Sequence, residues 1–456
     1  MNDIQHLIRK YNVPGPRYTS YPTVPFWKND SLQLTEWEAT LQQNQASFLS
    51  SAMSLYIHLP FCEQLCTFCG CHKRITKNHQ KEIPYIKSLK KEWILYKELF
   101  EFTPIIKELH LGGGTPTFFT PENLVELVKN IFNSTTVDPA THELSFEAHP
   151  MFMKQAHSEQ LFDFGFRRLS IGIQDYDTLV QKAIHRHQPF EKVKEIHRYA
   201  LKLGYESISH DLVYGLPKQQ LKGFETTIQK TIELLPHRIA LYGYAHVPWI
   251  KGNGQRGFDE KDIPQDTEKR ELYEMASEKL LQAGYISIGM DHFALPSDPM
   301  ALAMRDKKLH RNFMGYTTQE TPLLIGLGMS AISDSWFGFA QNEKSLEGYQ
   351  NRLKEGKLPI QRGHILSEED KGIRKYVLSL MCHFQMNWGE TSSEKYKSDI
   401  RSRLKEMVSD ELIRELPSGF QLTEKGIPFV RNACMAFDTY LHEAGRSEKP
   451  LFSKTI

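Results

Sequence analysis

An α/β protein with a mainly helical C-terminal part is what this sequence predicts, and three observations carry that prediction. Strand-like and helix-like segments alternate through the middle of the chain, the strand signal mostly stops beyond about residue 360, and each early strand runs into polar or glycine-rich residues. Strands are expected at 55–59, 108–111, 143–148, 168–173, 207–214 and 239–244. Amphipathic helices are expected between them, at 84–100, 121–132, 191–203 and 223–235. Periodicity alone leaves a partial barrel and an open sheet as alternatives. A further strand-like run at 285–289 extends the sheet toward one edge.

The flanks read differently. Residues 1–50 hold no βα unit and include a Pro/Gly-rich stretch at 13–22, which predicts an extended arm with short helices. Near the C-terminus 368–382, 391–408 and 428–443 read as helices, and 419–423 as one strand of a small wing. The expected division is an arm (1–50), a barrel (51–290), a barrel extension and connection (291–360) and a helical C-terminal domain (361–456).

Composition narrows the function classes. With 56 Lys+Arg against 55 Asp+Glu, nothing in the charge balance suggests a nucleic-acid or membrane footprint. No apolar run is long enough to span a bilayer, and the first residues lack the hydrophobic stretch of a secretion signal, so a cytoplasmic location is expected.

The cysteines point to chemistry. Cys62, Cys66, Cys69 and Cys71 fall within ten residues, while Cys382 and Cys434 stand alone. Three thiolates at C-x3-C-x2-C spacing can hold three irons of a [4Fe–4S] cubane and leave the fourth iron open to a small molecule. Structural zinc is the first competitor, but it usually takes two separated C-x2-C pairs or one pair with a distant His pair, and only Cys66–Cys69 has that spacing. Disulfides would strain such short loops, and simple unligated thiols are the remaining alternative. The spacing favours the cluster, with Cys62, Cys66 and Cys69 as ligands.

Polar residues sit where a parallel βα fold places its chemistry, at the C-terminal ends of strands. The first strand runs into the cysteine loop and the second into Gly112-Gly-Gly-Thr-Pro116. The others end at Glu147, Gln174, Asp211 and Tyr244-Ala-His246. Helix-capping residues would occupy such places too, so no single position decides; six together make a constellation.

These residues carry a family resemblance. C-x3-C-x2-C with Phe68 before the third cysteine resembles the signature of the radical S-adenosylmethionine (SAM) superfamily. The extra Cys71 resembles the oxygen-independent coproporphyrinogen III dehydrogenase (oxidase) family of anaerobic haem synthesis. Pro14-Gly-Pro-Arg-Tyr-Thr-Ser-Tyr-Pro22, Asp211-Leu-Val-Tyr-Gly-Leu-Pro217, Gly289-Met-Asp-His-Phe293 and Arg431-Asn-Ala-Cys-Met-Ala-Phe-Asp-Thr-Tyr-Leu441 agree with it, so the resemblance spans nearly the whole chain.

The resemblance implies a partial (β/α)6 radical SAM barrel with an N-terminal arm and a mainly helical C-terminal domain. It implies one [4Fe–4S] cluster and SAM, two molecules of it, with Cys71 near the second. Gly113, Gly114 and Thr115 match the loop that holds the methionyl amino group. Glu147, Gln174, Arg186 and Asp211 match other SAM contacts, while Tyr56, Phe68, Ala245 and Ile332 match apolar or backbone contacts. His149 departs from the family's more usual Asp or Asn before proline. The implied reaction turns two propionates of coproporphyrinogen III into vinyls, giving protoporphyrinogen IX, with Arg17, His310 and Arg311 as candidate partners for the carboxylates. A flavodoxin or ferredoxin system is the implied electron donor, and the family favours a monomer. Rival readings are a radical SAM enzyme that opens or methylates haem, and a haem chaperone. The arm motif and Phe437-Asp-Thr-Tyr440 favour the dehydrogenase over the first, and Cys71 with the long arm favours it over the second.

Overall fold

In the computed structural model the alternation becomes one curled sheet. The structure describes all residues except 1, 28–31, 49–51, 138–141, 250–253, 390–392, 446–450 and 456. Six parallel strands lie side by side in chain order: β1 (Ala52–Leu59), β2 (Ile105–Gly113), β3 (Glu143–Ala148), β4 (Arg168–Gln174), β5 (Ser207–Tyr214) and β6 (Arg238–Gly243). Helices connect successive strands, among them Glu82–Glu98, Pro121–Phe132, Phe190–Leu203 and Leu221–Leu234. Successive side chains on a strand point to opposite faces, and here the two faces differ in chemistry. One carries Leu55, Ile57, Leu109, Leu111, Leu144, Phe146, Leu169, Ile171, Ile208, Leu212, Ile239 and Leu241, all buried in the main apolar core. The other is polar and faces the barrel interior.

The sheet continues at both edges. Beyond β6, the short strands β7 (Ile286–Ile288) and β8 (His292–Ala294) add antiparallel, so the strand expected at 285–289 does lie at the sheet edge. A separate hairpin of β9 (His310–Asn312) and β10 (Gly315–Thr317) reaches the barrel interior, where the Thr317 hydroxyl donates to Glu108 at 2.9 Å. Beyond β1, β11 (Leu324–Leu327) pairs parallel, and β12 (Ile332–Asp334), β13 (Gly338–Asn342) and β14 (Ile360–Ile365) follow antiparallel. No expectation covered these last four strands. The first three are short and almost wholly buried, so they show none of the alternation that marks a half-buried strand, and the fourth is buried unevenly along its length.

The arm contains a ten-residue helix (Asn2–Tyr11) and one of 14 residues (Leu34–Ser47), longer than the short helices expected. Leu7, Ile8, Tyr11, Tyr18 and Tyr21 bury against the C-terminal helices in a second core, and Trp27 stacks on Phe339 of β13 at 5.2 Å. The arm therefore joins the C-terminal part to the barrel.

That C-terminal part contains Glu368–His383, Glu394–Ser409 and a three-stranded antiparallel wing that includes Gly419–Leu422. The expected helix start at Thr391 lies outside the described residues. The single helix expected over 428–443 is corrected to a short 3-10 turn (Ile427–Phe429) and two short helices (Val430–Met435 and Thr439–Glu443). Asp438 causes the break: it caps the last helix through Leu441 N–H at 3.0 Å and accepts the Tyr18 hydroxyl of the arm at 3.0 Å. Among the described residues no helix is long and apolar enough to cross a membrane.

One buried ion pair ties the helix Glu368–His383 to the sheet. Arg374 donates to both carboxylate oxygens of Asp334 at 3.0 and 2.5 Å and lies over the Trp336 ring at 4.2 Å. Arg374→Ala leaves Asp334 buried without its cation, which costs about 3–5 kcal/mol. A clear fall in the urea midpoint with an unchanged slope is the expected result.

Candidate active site

The polar face of the barrel is built in rows. Tyr56, His110, Ser145, Arg168 and Ser207 are paired across five strands. Glu147, Ser170, Ser209 and Arg238 form the next row, and Gly172, Asp211, Ala240 and His292 the one above. Side chains along these rows bond to one another: His110 Nδ1 to Ser145 (2.8 Å), His110 Nε2 to Glu147 (3.3 Å), and the Ser170 hydroxyl to both Asp211 oxygens (2.9 and 2.8 Å). A barrel interior lined this way holds ligand rather than an apolar core.

The cysteine loop leaves the top of β1. Its neck is closed by pairing of Phe61–Cys62 with Arg74–Ile75. Thr67 is fixed through its N–H to Ile184 O (3.0 Å) and its hydroxyl to Ala183 O (2.9 Å), and Lys73 Nζ donates to the carbonyls of Cys69 and Cys71, both at 3.2 Å. Cys62 is buried, Cys66 and Cys69 are half-buried, and Cys71 is exposed. Burial pushes the Cys62 thiol up to about 11, with the Thr115 hydroxyl opposing from 3.3 Å. Metal binding would displace that proton.

Beside this loop is a cavity of about 160 Å³. The four cysteines and Phe68 line one side of it; Gly113, Gly114 and Thr115 line the next; Glu147, Gln174, Arg186 and Asp211 complete it. The glycines are required by space. Gly113 has φ +115°, and a Cβ on it would lie 2.6 Å from the His58 ring, while one on Gly114 would lie 2.5 Å from the Pro60 carbonyl oxygen. Gly113 N–H donates to Glu147 at 3.2 Å. Arg186 donates to Gly172 O (2.5 Å) and to Gln188 (3.1 Å), and its remaining nitrogen lies 3.7 Å from Cys66 Sγ.

Asp211 is raised to about 6, first by burial, with the Ser170 hydroxyl opposing and the Glu147 charge adding to the rise. An acid whose folded value lies above its unfolded one binds more protons when folded, so stability falls as pH rises from about 4 to about 6 and the penalty is full above that. Asp211→Asn is therefore expected to raise the melting temperature of the metal-free protein above pH 6. That gain should vanish below about pH 4, as a melting series across pH would check.

Three of the expected contacts are not brought into this cavity. Tyr56 stacks on His110 and meets His58 Nδ1 at 3.0 Å, in the row below Glu147. Ala245 reaches the cysteine loop through Gln255, which donates to the carbonyls of Ala245 (2.8 Å) and Phe68 (3.2 Å). Ile332 packs against the cluster of Trp27, Phe339 and Leu366 on the far side of β1. His149 does line the cavity, and its Nδ1 accepts Met151 N–H at 3.2 Å, the turn bond that an Asp or Asn would make. Two residues escaped the sequence reading: His58, whose inward place on β1 the alternation could have shown, and Lys73. Of the carboxylate candidates, Arg17 donates to Gly243 O at 2.9 Å and lies 3.8 Å from Asp291. Arg311 is buried and donates to Arg17 O at 3.3 Å, while His310 is only partly buried.

Comparison with known proteins decides the family. The family model of the Radical SAM superfamily matches residues 56–231. The oxygen-independent coproporphyrinogen III oxidase of Helicobacter pylori strain J99 is 39% identical over 98% of each chain, and that of Escherichia coli K12 is 36% identical over 99% of this chain and 98% of its own. The chain belongs to the oxygen-independent coproporphyrinogen III oxidase family. The solved structure of coproporphyrinogen III oxidase from Escherichia coli, described as a radical SAM enzyme, superposes with a TM-score of 0.89 at 34% identity, covering 96% of this chain and 99% of that one.

Membership in this family implies a [4Fe–4S] cluster and SAM. The donor set fits: thiols at C-x3-C-x2-C spacing flank a cavity with room for more than one ion, next to glycine amides and carboxylates suited to a cationic amino acid derivative. Among the described residues no three His, Cys, Asp or Glu side chains are drawn in tightly enough to hold a single metal ion. A cubane spaces its thiolates more widely.

Proposed function

We propose that this chain catalyses the oxidative decarboxylation of two propionates of coproporphyrinogen III to vinyls, giving protoporphyrinogen IX. The observation that carries this reading is the gathering of the cysteine loop and the polar strand ends around one cavity, in a chain alike over its whole length to oxidases of this name. Cys62, Cys66 and Cys69 would hold the cluster, and Gly113, Gly114, Thr115, Glu147, Gln174, Arg186 and Asp211 would hold SAM. Bound together, these two groups supply a 5′-deoxyadenosyl radical. Each propionate then loses one hydrogen atom, one CO₂ and one electron, which passes to an external one-electron acceptor.

The chain's own task is positioning and exclusion of water. Glu147 and Asp211 would supply carboxylates to the cationic cofactor, and Arg186 would offer a planar donor to its carboxylate. A second cavity of about 130 Å³ shares Glu147 and Asp211 with the first and runs into the barrel. It supports a second SAM or the substrate beside the first SAM, with Tyr56 on the same inner face and Cys71 at the outer rim. Ala245 and Ile332 enter the proposal only as family matches. The barrel (51–290) and its extension (291–360) would carry the chemistry, covered by the arm (1–50) and the helical part (361–456). We place the enzyme in the cytoplasm, as a monomer reduced by a flavodoxin or ferredoxin system, since a thiol-ligated cluster needs a reducing compartment.

Anaerobic protein with reconstituted cluster, SAM, a strong reductant and coproporphyrinogen III tests the reading by mass spectrometry. Substrate-dependent 5′-deoxyadenosine with loss of two CO₂ is expected. Deoxyadenosine without decarboxylation would move the assignment to another tetrapyrrole, and no SAM cleavage with tight haem binding would favour a chaperone.

A further inference from the structure

The inner cavity is lined on one side by His292, the first residue of β8. A tight turn from β7 delivers it there. Gly289 opens this turn at φ +59°, and a Cβ there would lie 2.1 Å from the Tyr316 ring, so only glycine fits. Leu241 N–H donates to Asp291 O at 2.8 Å and fixes the turn against β6. Two side chains follow in sequence, Asp291 and His292.

Their arrangement is that of an oriented imidazole. Asp291 Oδ1 lies 2.6 Å from His292 Nδ1, and the two side chains are only 9% and 13% exposed. Burial alone would raise the Asp291 carboxyl, but the charges of His292, Arg311 and Arg17 hold it at about 2. An ionised Asp291 accepts from Nδ1–H and so fixes the orientation of the ring. The other nitrogen, Nε2, has no hydrogen-bond partner among the described residues, and the ring lines the inner cavity with Tyr242 and Tyr316 edge-on at 5.7 and 5.6 Å. His292 pairs with Ala240, and Ala240 with Asp211. Two strand spacings, about 10 Å, therefore separate His292 from the cavity shared with the cysteine loop.

We propose that His292, held by Asp291 with Arg17 behind it, is a carboxylate-binding residue that takes one propionate of the tetrapyrrole substrate through Nε2–H. The inference rests on the function proposed above and adds to it the place where a substrate carboxylate is held. A general acid or base has nothing to do in this reaction, because CO₂ leaves a carboxylate and the hydrogen departs as an atom. An oriented imidazole edge facing the cavity suits recognition of a carboxylate instead.

Fluorescence quenching measures binding of coproporphyrin III, and of its tetramethyl ester, to the protein without SAM. Wild type should bind the acid more tightly than the ester. His292→Leu should weaken binding of the acid at least about tenfold and leave the ester unchanged, a size typical of a charge-assisted hydrogen bond. The KM for coproporphyrinogen III should rise in parallel, with SAM affinity and substrate-free SAM cleavage within twofold of wild type. His292→Gln, which keeps a neutral donor, should fall between. Should His292→Leu not fold, the acid-to-ester ratio of His292→Gln decides. A ratio equal to wild type in a folded variant, or weakened SAM binding alongside, overturns the proposal. Wild type that cleaves SAM but binds neither porphyrin overturns the substrate assignment itself.

Discussion

Serine in place of Cys62, Cys66 or Cys69, one at a time, is expected to abolish the cluster and with it turnover, whereas Cys71→Ser should keep its iron. The three inner thiols border one cavity on a loop held by Thr67 and Lys73, so losing one sulfur leaves an iron corner without its ligand. Activity should fall by more than the tenfold to hundredfold typical of losing an outer-shell partner. Cys71 is exposed, and a fourth thiolate would close the iron that SAM must reach. Iron content, visible absorbance and the EPR signal of the reduced protein measure this in four variants. Cluster loss in Cys71→Ser equal to that in Cys66→Ser would remove the open-iron assignment.

Gly114→Ala is expected to have the second largest effect. Its Cβ would meet Pro60 O at 2.5 Å and Leu59 O at 3.0 Å, both backbone atoms at the end of β1, and Gly114 N–H already donates to Leu59 O at 2.9 Å. No side chain can turn aside to relieve that contact. The glycine loop must move away from the strand that carries the cysteine loop, at about 1–3 kcal/mol. Because both loops line the cavity that would hold SAM, the displacement should appear as about a tenfold to hundredfold loss of SAM affinity. Gly372→Ala, inside the helix Glu368–His383 with no atom within 4 Å of its added Cβ, should leave SAM affinity unchanged and raise the melting temperature slightly. Unaltered SAM binding in Gly114→Ala would show that the loop lies outside the cofactor site.

Much of this site was legible because its signals are local. Cysteine spacing is a property of ten consecutive residues, and a strand of period two followed by glycine or a carboxylate announces its own C-terminal end. The cysteine loop, Gly113, Gly114, Glu147, Gln174, Asp211 and Arg186 accordingly meet around one cavity. His149, whose departure from the family pattern left the turn chemistry open, supplies the same bond through its ring nitrogen. Arg17 was legible as a cation but not as the neighbour of Asp291, which is 274 residues further along the chain.

Other features have no local signature. β11 to β13 are short, almost wholly buried strands, and β11 pairs with β1, more than 260 residues earlier. The helix expected over 428–443 breaks because Tyr18 of the arm takes the Asp438 carboxylate, a bond between opposite ends of the chain. His292 reads in sequence as part of a motif without a task; only the antiparallel addition of β8 to β6 turns its imidazole into the barrel two strands from Asp211.

By itself the amino-acid order determined the α/β class, the parallel core strands and the thiol loop, since alternation and spacing act over a few residues. Tertiary structure decided which rungs face inward together, how the two sheet edges are completed, and which cations and carboxylates meet. Those outcomes depend on register and packing between distant segments, where a shift of one residue would turn a polar rung from the cavity into the apolar core.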